Sequence, residues 1–202
     1  MKQFLHTLLL TSCWLLLSTT LDAQHVVLLL NGKVHPVKAY DIKGEYLIYS
    51  KSSDKSGRTH KMYLDRIYSI RDSILGERIV YMPDTTDSLE LTKIEMRSFI
   101  EGEQYAIKHY KKPLNAIGGA AVGIGAGFLS IYGLLVPFGY AAIIGSHSPK
   151  VPTTLPDAPA NVKEEIFQEG YQYKARKVKI KNGLIFGGIG FAASFTLITL
   201  LK

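Results

Sequence analysis

The sequence predicts an α+β membrane protein, a small N-terminal β meander or barrel followed by amphipathic and transmembrane helices. Three observations carry this. From Pro113 to Pro149 the chain runs 37 residues without one Asp, Glu, Lys or Arg. A second uncharged run of 20 residues, 182–201, follows near the C-terminus. Ahead of both, residues 24–85 alternate short β-branched and aromatic runs with turn residues. A bilayer's hydrocarbon core takes about 20 apolar helical residues to cross, and Leu114–Val136 alone supplies 23.

Composition agrees only after it is resolved along the chain. Charged residues make up 20% and hydrophobic ones 47%, yet nearly all charge lies in 31–112 and 150–181. The 24 basic residues outnumber the 17 acidic ones, for a net charge of +7. That excess clusters beside the apolar runs, so anionic lipid headgroups are the expected partner, and nucleic acid is not. Cys13 is the only cysteine, which excludes a disulfide framework and a cysteine metal site.

Residues 1–23 read as an export signal. Lys2 supplies the basic start, Phe4–Leu17 the apolar stretch, and Leu21-Asp22-Ala23 a cleavage site before Gln24. Two other readings stand beside it: a lipoprotein signal modified at Cys13, and an uncleaved anchor. Each places residue 24 onward outside the cytoplasm.

The 24–85 unit begins with a strand over His25–Leu30. Asn31-Gly32 is the pair that favours a type I′ hairpin. A second strand over 34–42, a turn at Lys43-Gly44, a third strand at Tyr46–Tyr49 and a polar loop at 52–58 follow. Met62, Leu64, Ile67 and Ile70 continue the pattern, and Ile79–Tyr81 close it. His25, His35 and His60 lack metal-ligand spacing and read as exposed strand or loop residues. Asp84, Asp87 and Glu90 read as a solvated connector. No nucleophile-elbow, zincin or phosphate-loop pattern occurs. Gly188-Ile-Gly190-Phe-Ala-Ala193 has dinucleotide-motif spacing but lies inside the last apolar run, so it is set aside.

Over 86–112 the sequence predicts a capped amphipathic helix. Thr92-Lys-Ile-Glu95 is a capping box. Met96, Phe99, Ile100, Ala106, Ile107 and Tyr110 form its apolar stripe, interrupted at Glu103. Lys108, Lys111 and Lys112 gather in its last turn before Pro113. Such a helix either lies among lipid headgroups or packs on the β unit.

Residues 113–145 form the first transmembrane segment, with a break expected near Pro137, where Gly133 and Gly139 flank it. Either one crossing ends near Val136 and 138–144 lies at the interface, or two short halves make a tight hairpin. Gly119, Gly123 and Gly127 recur every four residues on one helix face. Without a hydrophobic gain from pairing in lipid, close backbone approach must hold helices together, and such a face permits it. Residues 182–202 form the second crossing, with Gly183 and Gly187, Gly188 and Ala192, and Gly190 and Ser194 similarly spaced. The two are expected to pack within one chain, with packing between chains as the other arrangement. Between them, 146–181 reads as a Pro-rich linker and a basic helix capped by Asn161, with no proline to stop it before 182. Lys174, Arg176, Lys177, Lys179 and Lys181 place five positive charges in eight residues. With Lys108, Lys111 and Lys112 they are the expected headgroup contacts. The positive-inside rule then puts 146–181 in the cytoplasm, with one crossing on each side of it. A faint repeat is also present: Phe99-Ile-Glu-Gly-Glu-Gln-Tyr and Phe167-Gln-Glu-Gly-Tyr-Gln-Tyr lead to Gly118-Gly119 and Gly187-Gly188. Two such helix-plus-crossing units would pack about a pseudo-two-fold axis.

Ala23-Gln24, the strand-turn set 26–49 and Glu95-Met-Arg97…Gly102-Glu-Gln104 ahead of a glycine zipper resemble uncharacterised exported membrane proteins of Bacteroidetes-type bacteria. The resemblance implies an envelope location and carries over no catalytic residue. The sequence thus leads to an exported, membrane-anchored envelope protein of interaction or assembly type in a bacterial cell membrane. It predicts no catalysis and no cofactor, and expects a homo-oligomer or another envelope protein as partner. The alternative is a glycine-zipper oligomer acting as a pore or transport accessory. Neither crossing contains an ionisable residue, which weighs against it.

Overall fold

A computed structural model describes residues 25–53, 57–87, 89–111 and 113–201. The export-signal segment 1–23, with Cys13, and Lys112 lie outside them. The chain divides into two compact units: a sheet unit built from 34–81 with β1 ahead of it, and a helical unit formed by 82 onward with 30–33.

The sheet unit has six antiparallel strands: β1 (His25–Leu29), β2 (Val34–Lys43), β3 (Tyr46–Lys51), β4 (Thr59–Tyr63), β5 (Ile67–Asp72) and β6 (Gly76–Ile79). Their order is β4-β3-β2-β1-β5-β6. The first four make a meander, but β5 pairs with the free side of β1, so a simple meander through all six is not formed. Apolar β1 therefore becomes a central strand, with Val26 opposite both Pro36 and Arg71. Val27, Leu29, Val37, Leu47, Tyr49, Ile67 and Ile70 form the core. Burying each large aliphatic side chain contributes roughly 1.5–3 kcal/mol.

Two turn expectations differ in outcome. At Gly44-Glu45 a two-residue hairpin forms, with positive φ at Gly44 alone, the pattern of glycine at the first central position. At Asn31-Gly32 the type I′ turn does not form. Leu28 pairs with Val34, the loop spans 30–33, and only Gly32 has positive φ. The Asn31 side chain instead accepts the Lys33 N–H at 3.1 Å. His25, read as exposed, is mostly buried and sits 2.9 Å from Asp72.

The helical unit contains α1 (Lys93–His109), α2 (Leu114–Gly127), α3 (Val136–Ser146) and α4 (Glu165–Leu200). Helix α1 starts with both halves of the capping box in place, Thr92 Oγ1 accepting from Glu95 N–H and Glu95 accepting from Thr92 N–H at 2.9 Å. Thr92→Ala is expected to cost about 1 kcal/mol, read as a lower thermal midpoint, with Thr92→Ser restoring most of it.

The break in the first apolar run falls just ahead of Pro137 and takes in Gly133 beside it, while Pro137 itself does not break a helix. Chain direction reverses over 128–135, largely a 3₁₀ segment (Ser130–Leu135), and Pro137 sits in the first turn of α3, where its missing N–H costs nothing. Two local features make the reversal. Ser130 takes a left-handed φ of 58°, and Gly133 lies against the Ala126 carbonyl, where a side chain would collide. Pro137 caught attention as a helix breaker, yet a proline near an N-terminus begins a helix.

Helix α4 runs unbroken for 36 residues. Asn161 does not cap it. The helix starts at Glu165, and the Asn161 amide donates to Ser98 Oγ at 3.3 Å and Glu101 Oε2 at 3.0 Å. Nor is the Pro-rich segment a free linker. Val151, Leu155, Ala158 and Val162 pack onto Tyr105, Tyr110, Phe167 and Tyr171, and the Tyr105 hydroxyl donates to Pro152 O at 2.9 Å.

Candidate functional site

Helix α4 is the axis on which the other helices assemble. Its polar half takes α1 in parallel: Ser98 meets Glu164, and Tyr105 lies against Phe167 and Tyr171. Burial there pushes the Tyr171 hydroxyl up to about 12, with Tyr110 and Tyr105 adding to it. The helices cross at glycines. A Cβ on Gly102 would strike the Phe167 carbonyl, and one on Gly170 would strike the Phe99 carbonyl. Exchanging the two Phe-x-x-Gly segments leaves this contact unchanged, which is local two-fold symmetry. The face taken up by α1 is thus α4 itself, where the sequence offered headgroups or the β unit. Ile107 of the expected stripe is exposed, and Glu103, its interruption, is 1% exposed.

The apolar half of α4 takes α2 in parallel and α3 antiparallel. A Cβ on Gly119 would lie 2.7 Å from Gly183 O, and one on Gly190 2.5 Å from Ala120 O. Gly123 faces the Gly187 carbonyl, and Gly127 faces Ser194. Gly187 in turn meets Pro137, and Gly183 meets Ile144 and Tyr140 of α3. Four-residue glycine spacing brings backbones into contact here because each glycine opposes a carbonyl or another small residue. The outward surface is the reverse. Phe128, Leu129, Ile131, Tyr132, Leu135, Phe138, Ile143, Ile189, Leu197 and Leu200 are all exposed, Tyr132 to 82%. Of the described helices only α4 is long and apolar enough to cross a membrane, and 28% of its most apolar window is buried.

The eight basic residues singled out in the sequence separate. Lys174 is not available to lipid. It turns inward, 3.7 Å from Glu103 Oε1, and donates to Asn31 O at 2.6 Å. Lys108 pairs with Asp157 at 2.5 Å and holds that carboxyl below the usual range. Arg176 donates to Ser148 Oγ at 2.5 Å and Lys179 to His147 O at 3.4 Å. Lys177 bonds the Tyr173 hydroxyl and lies 4.1 Å over its ring. Lys111 and Lys181 are exposed, and Lys112 is outside the described residues.

Glu103 is the residue whose role the sequence reading missed. Among the described residues its Oε2 has no hydrogen-bond partner, and Gly32 packs closely enough that a Cβ there would lie 2.9 Å from that oxygen. Burial raises its carboxyl above the usual value, against the pull of Lys174 and Lys177. An acid in the middle of an apolar stripe, in a chain with a lysine-rich helix, was the available signal.

Among the described residues no three His, Cys, Asp or Glu side chains are grouped to hold a metal ion. In the sheet unit a shallow groove of about 410 Å³ is lined by Gly44, Glu45, Tyr63, Leu64 and Asp65. The hydroxyls of Tyr46 and Tyr63 pair beside it at 3.1 Å. No family model, curated protein or solved structure matches the chain.

Proposed function

We propose that this protein is an exported, membrane-anchored envelope protein of interaction or assembly type, acting without catalysis. The observation that carries the reading is the apolar surface exposed around α2, α3 and the second half of α4, spanning Ile117 to Leu201. Exposed apolar patches of that extent mark contact with lipid or protein. A long apolar helix also occurs in soluble cores, but there it is mostly buried, unlike α4. The exposed Lys111 and Lys181, next to the apolar segments in the sequence, suit anionic headgroups. The pore alternative is weakened because the glycine faces are spent on packing within the chain. Ser194 and Thr199, hydroxyls of the apolar half, bond to carbonyls of their own helix.

Alkaline carbonate treatment of membranes from expressing cells should leave the protein in the pellet. Release into the supernatant would overturn the anchor. After crosslinking in intact cells, one defined second protein should be recovered with the chain. Recovery only as a homo-oligomer would favour the pore reading.

A further inference from the structure

Resting on the membrane reading, we infer that α2 and α3 form a re-entrant hairpin, and that α4 alone crosses the bilayer. Both flanks of the hairpin then lie on the side of α1, opposite the C-terminal end of α4. The sequence left both arrangements open, and the charge count alone favoured one crossing on each side of a cytoplasmic 146–181.

The two ends of the hairpin meet at one level of α4. At the entrance, the Tyr140 hydroxyl reaches Asn115 O at 3.4 Å, and Gly119 faces Gly183. At the exit, Gly145 lies against Ile180, while Arg176 and Lys179 bond Ser148 and His147. The turn lies further along α4, where Gly127 meets Ser194. Helix α2, at 14 residues, rises about 21 Å, short of the roughly 30 Å hydrocarbon core.

The composition of the turn agrees. A loop emerging into water would carry polar residues, whereas Phe128, Leu129, Ile131, Leu134 and Leu135 are exposed here. Irregular backbone at membrane depth must have its polar groups satisfied. Part of that need is met locally: Phe128 N–H bonds Gly125 O, Leu129 N–H bonds Ala126 O, and the chain continues as 3₁₀ helix. Arg176 and Lys179 hold the exit at Ser148 and His147, and Lys111, Lys150 and Lys181 are exposed beside the ends of these segments in the sequence, where the headgroups of that leaflet would lie. Charge bias and the export reading of 1–23 favour opposite sides for these basic residues. The hairpin keeps its two flanks together whichever side is selected.

Single cysteines at Asp87→Cys, Thr154→Cys and after Lys202, in a Cys13→Ser background, provide the test. Asp87 and Thr154 are exposed positions outside the helices. With a membrane-impermeant maleimide on intact and then permeabilised spheroplasts, positions 87 and 154 should label alike and the C-terminal cysteine oppositely. Labelling of 154 opposite to both others would mean two full crossings, and identical labelling of all three would mean that α4 does not cross. Either result overturns the inference. Release by carbonate, in contrast, would strike the membrane reading itself.

Discussion

Gly123→Leu is expected to destabilise the helical unit severely, while Gly125→Leu, two residues along the same helix, is tolerated. At Gly123 even a methyl would collide with the Gly187 carbonyl and lie 2.9 Å from Phe191 N. Both obstacles are backbone of a helix that cannot yield locally, so the cost should reach or pass the upper end of ordinary overpacking, about 3 kcal/mol. In a chain of this size that lowers the thermal midpoint by roughly 6–12 °C. At Gly125 nothing among the described residues lies within 4 Å of an added Cβ, and leucine is the better helix former by about 0.8 kcal/mol. Thermal unfolding in detergent micelles, followed by circular dichroism, separates the two. If Gly123→Leu melts with the parent protein, the packing described between α2 and α4 is wrong.

The second large effect concerns Glu103 and Lys174. Lys174→Met leaves a buried carboxylate without its cation, and removing one partner of a buried pair costs about 3–5 kcal/mol. Glu103→Gln should cost much less, because the amide carries no charge to desolvate. The pH dependence has a definite sign. Burial raises the Glu103 carboxyl above its ordinary value of 4.5, so the folded state holds this proton more tightly than the unfolded state. The contribution to stability is therefore present below the unfolded value and is lost as pH rises through the folded one. Between those two points the parent should lose stability relative to Glu103→Gln as pH increases, and Lys174→Met should lose it over a wider window. Midpoints measured from pH ~4 upward on the three proteins test this. A parent whose difference from Glu103→Gln stays constant with pH would contradict the burial.

What could be read from the sequence was mostly local. Thr92 and Glu95 form a cap because the motif contains both partners within four residues. The strands of the sheet unit follow from β-branched runs between turns, although nothing local says that β5 will return to the far side of β1. The spacing of Gly119, Gly123 and Gly127 shows a face fit for close approach, but their opposing atoms come from residues over 60 positions away. Where the reading failed, a long-range contact decided. Glu103 looked like an interruption because its lysine lies on another helix. Asn161 looked like a cap, but Ser98 and Glu101 offered it better partners. The reversal at 128–135 depends on Ser130 adopting a left-handed conformation and Gly133 reaching Ala126; Gly133 was legible beside the break, but nothing marked Ser130 as left-handed.

Helix α4 has a mechanical consequence. The chain through α1, α2 and α3 is interrupted between successive helices, with a reversal over 128–135, whereas α4 has no interruption across its 36 residues. It is a rod of about 54 Å, clasped by α1 at one end and by the α2–α3 pair at the other. A tilt of about 10° around its middle moves each tip by about 5 Å, in opposite directions. A force that displaces α1 therefore cannot be absorbed within the rod, and arrives at the far helices as leverage.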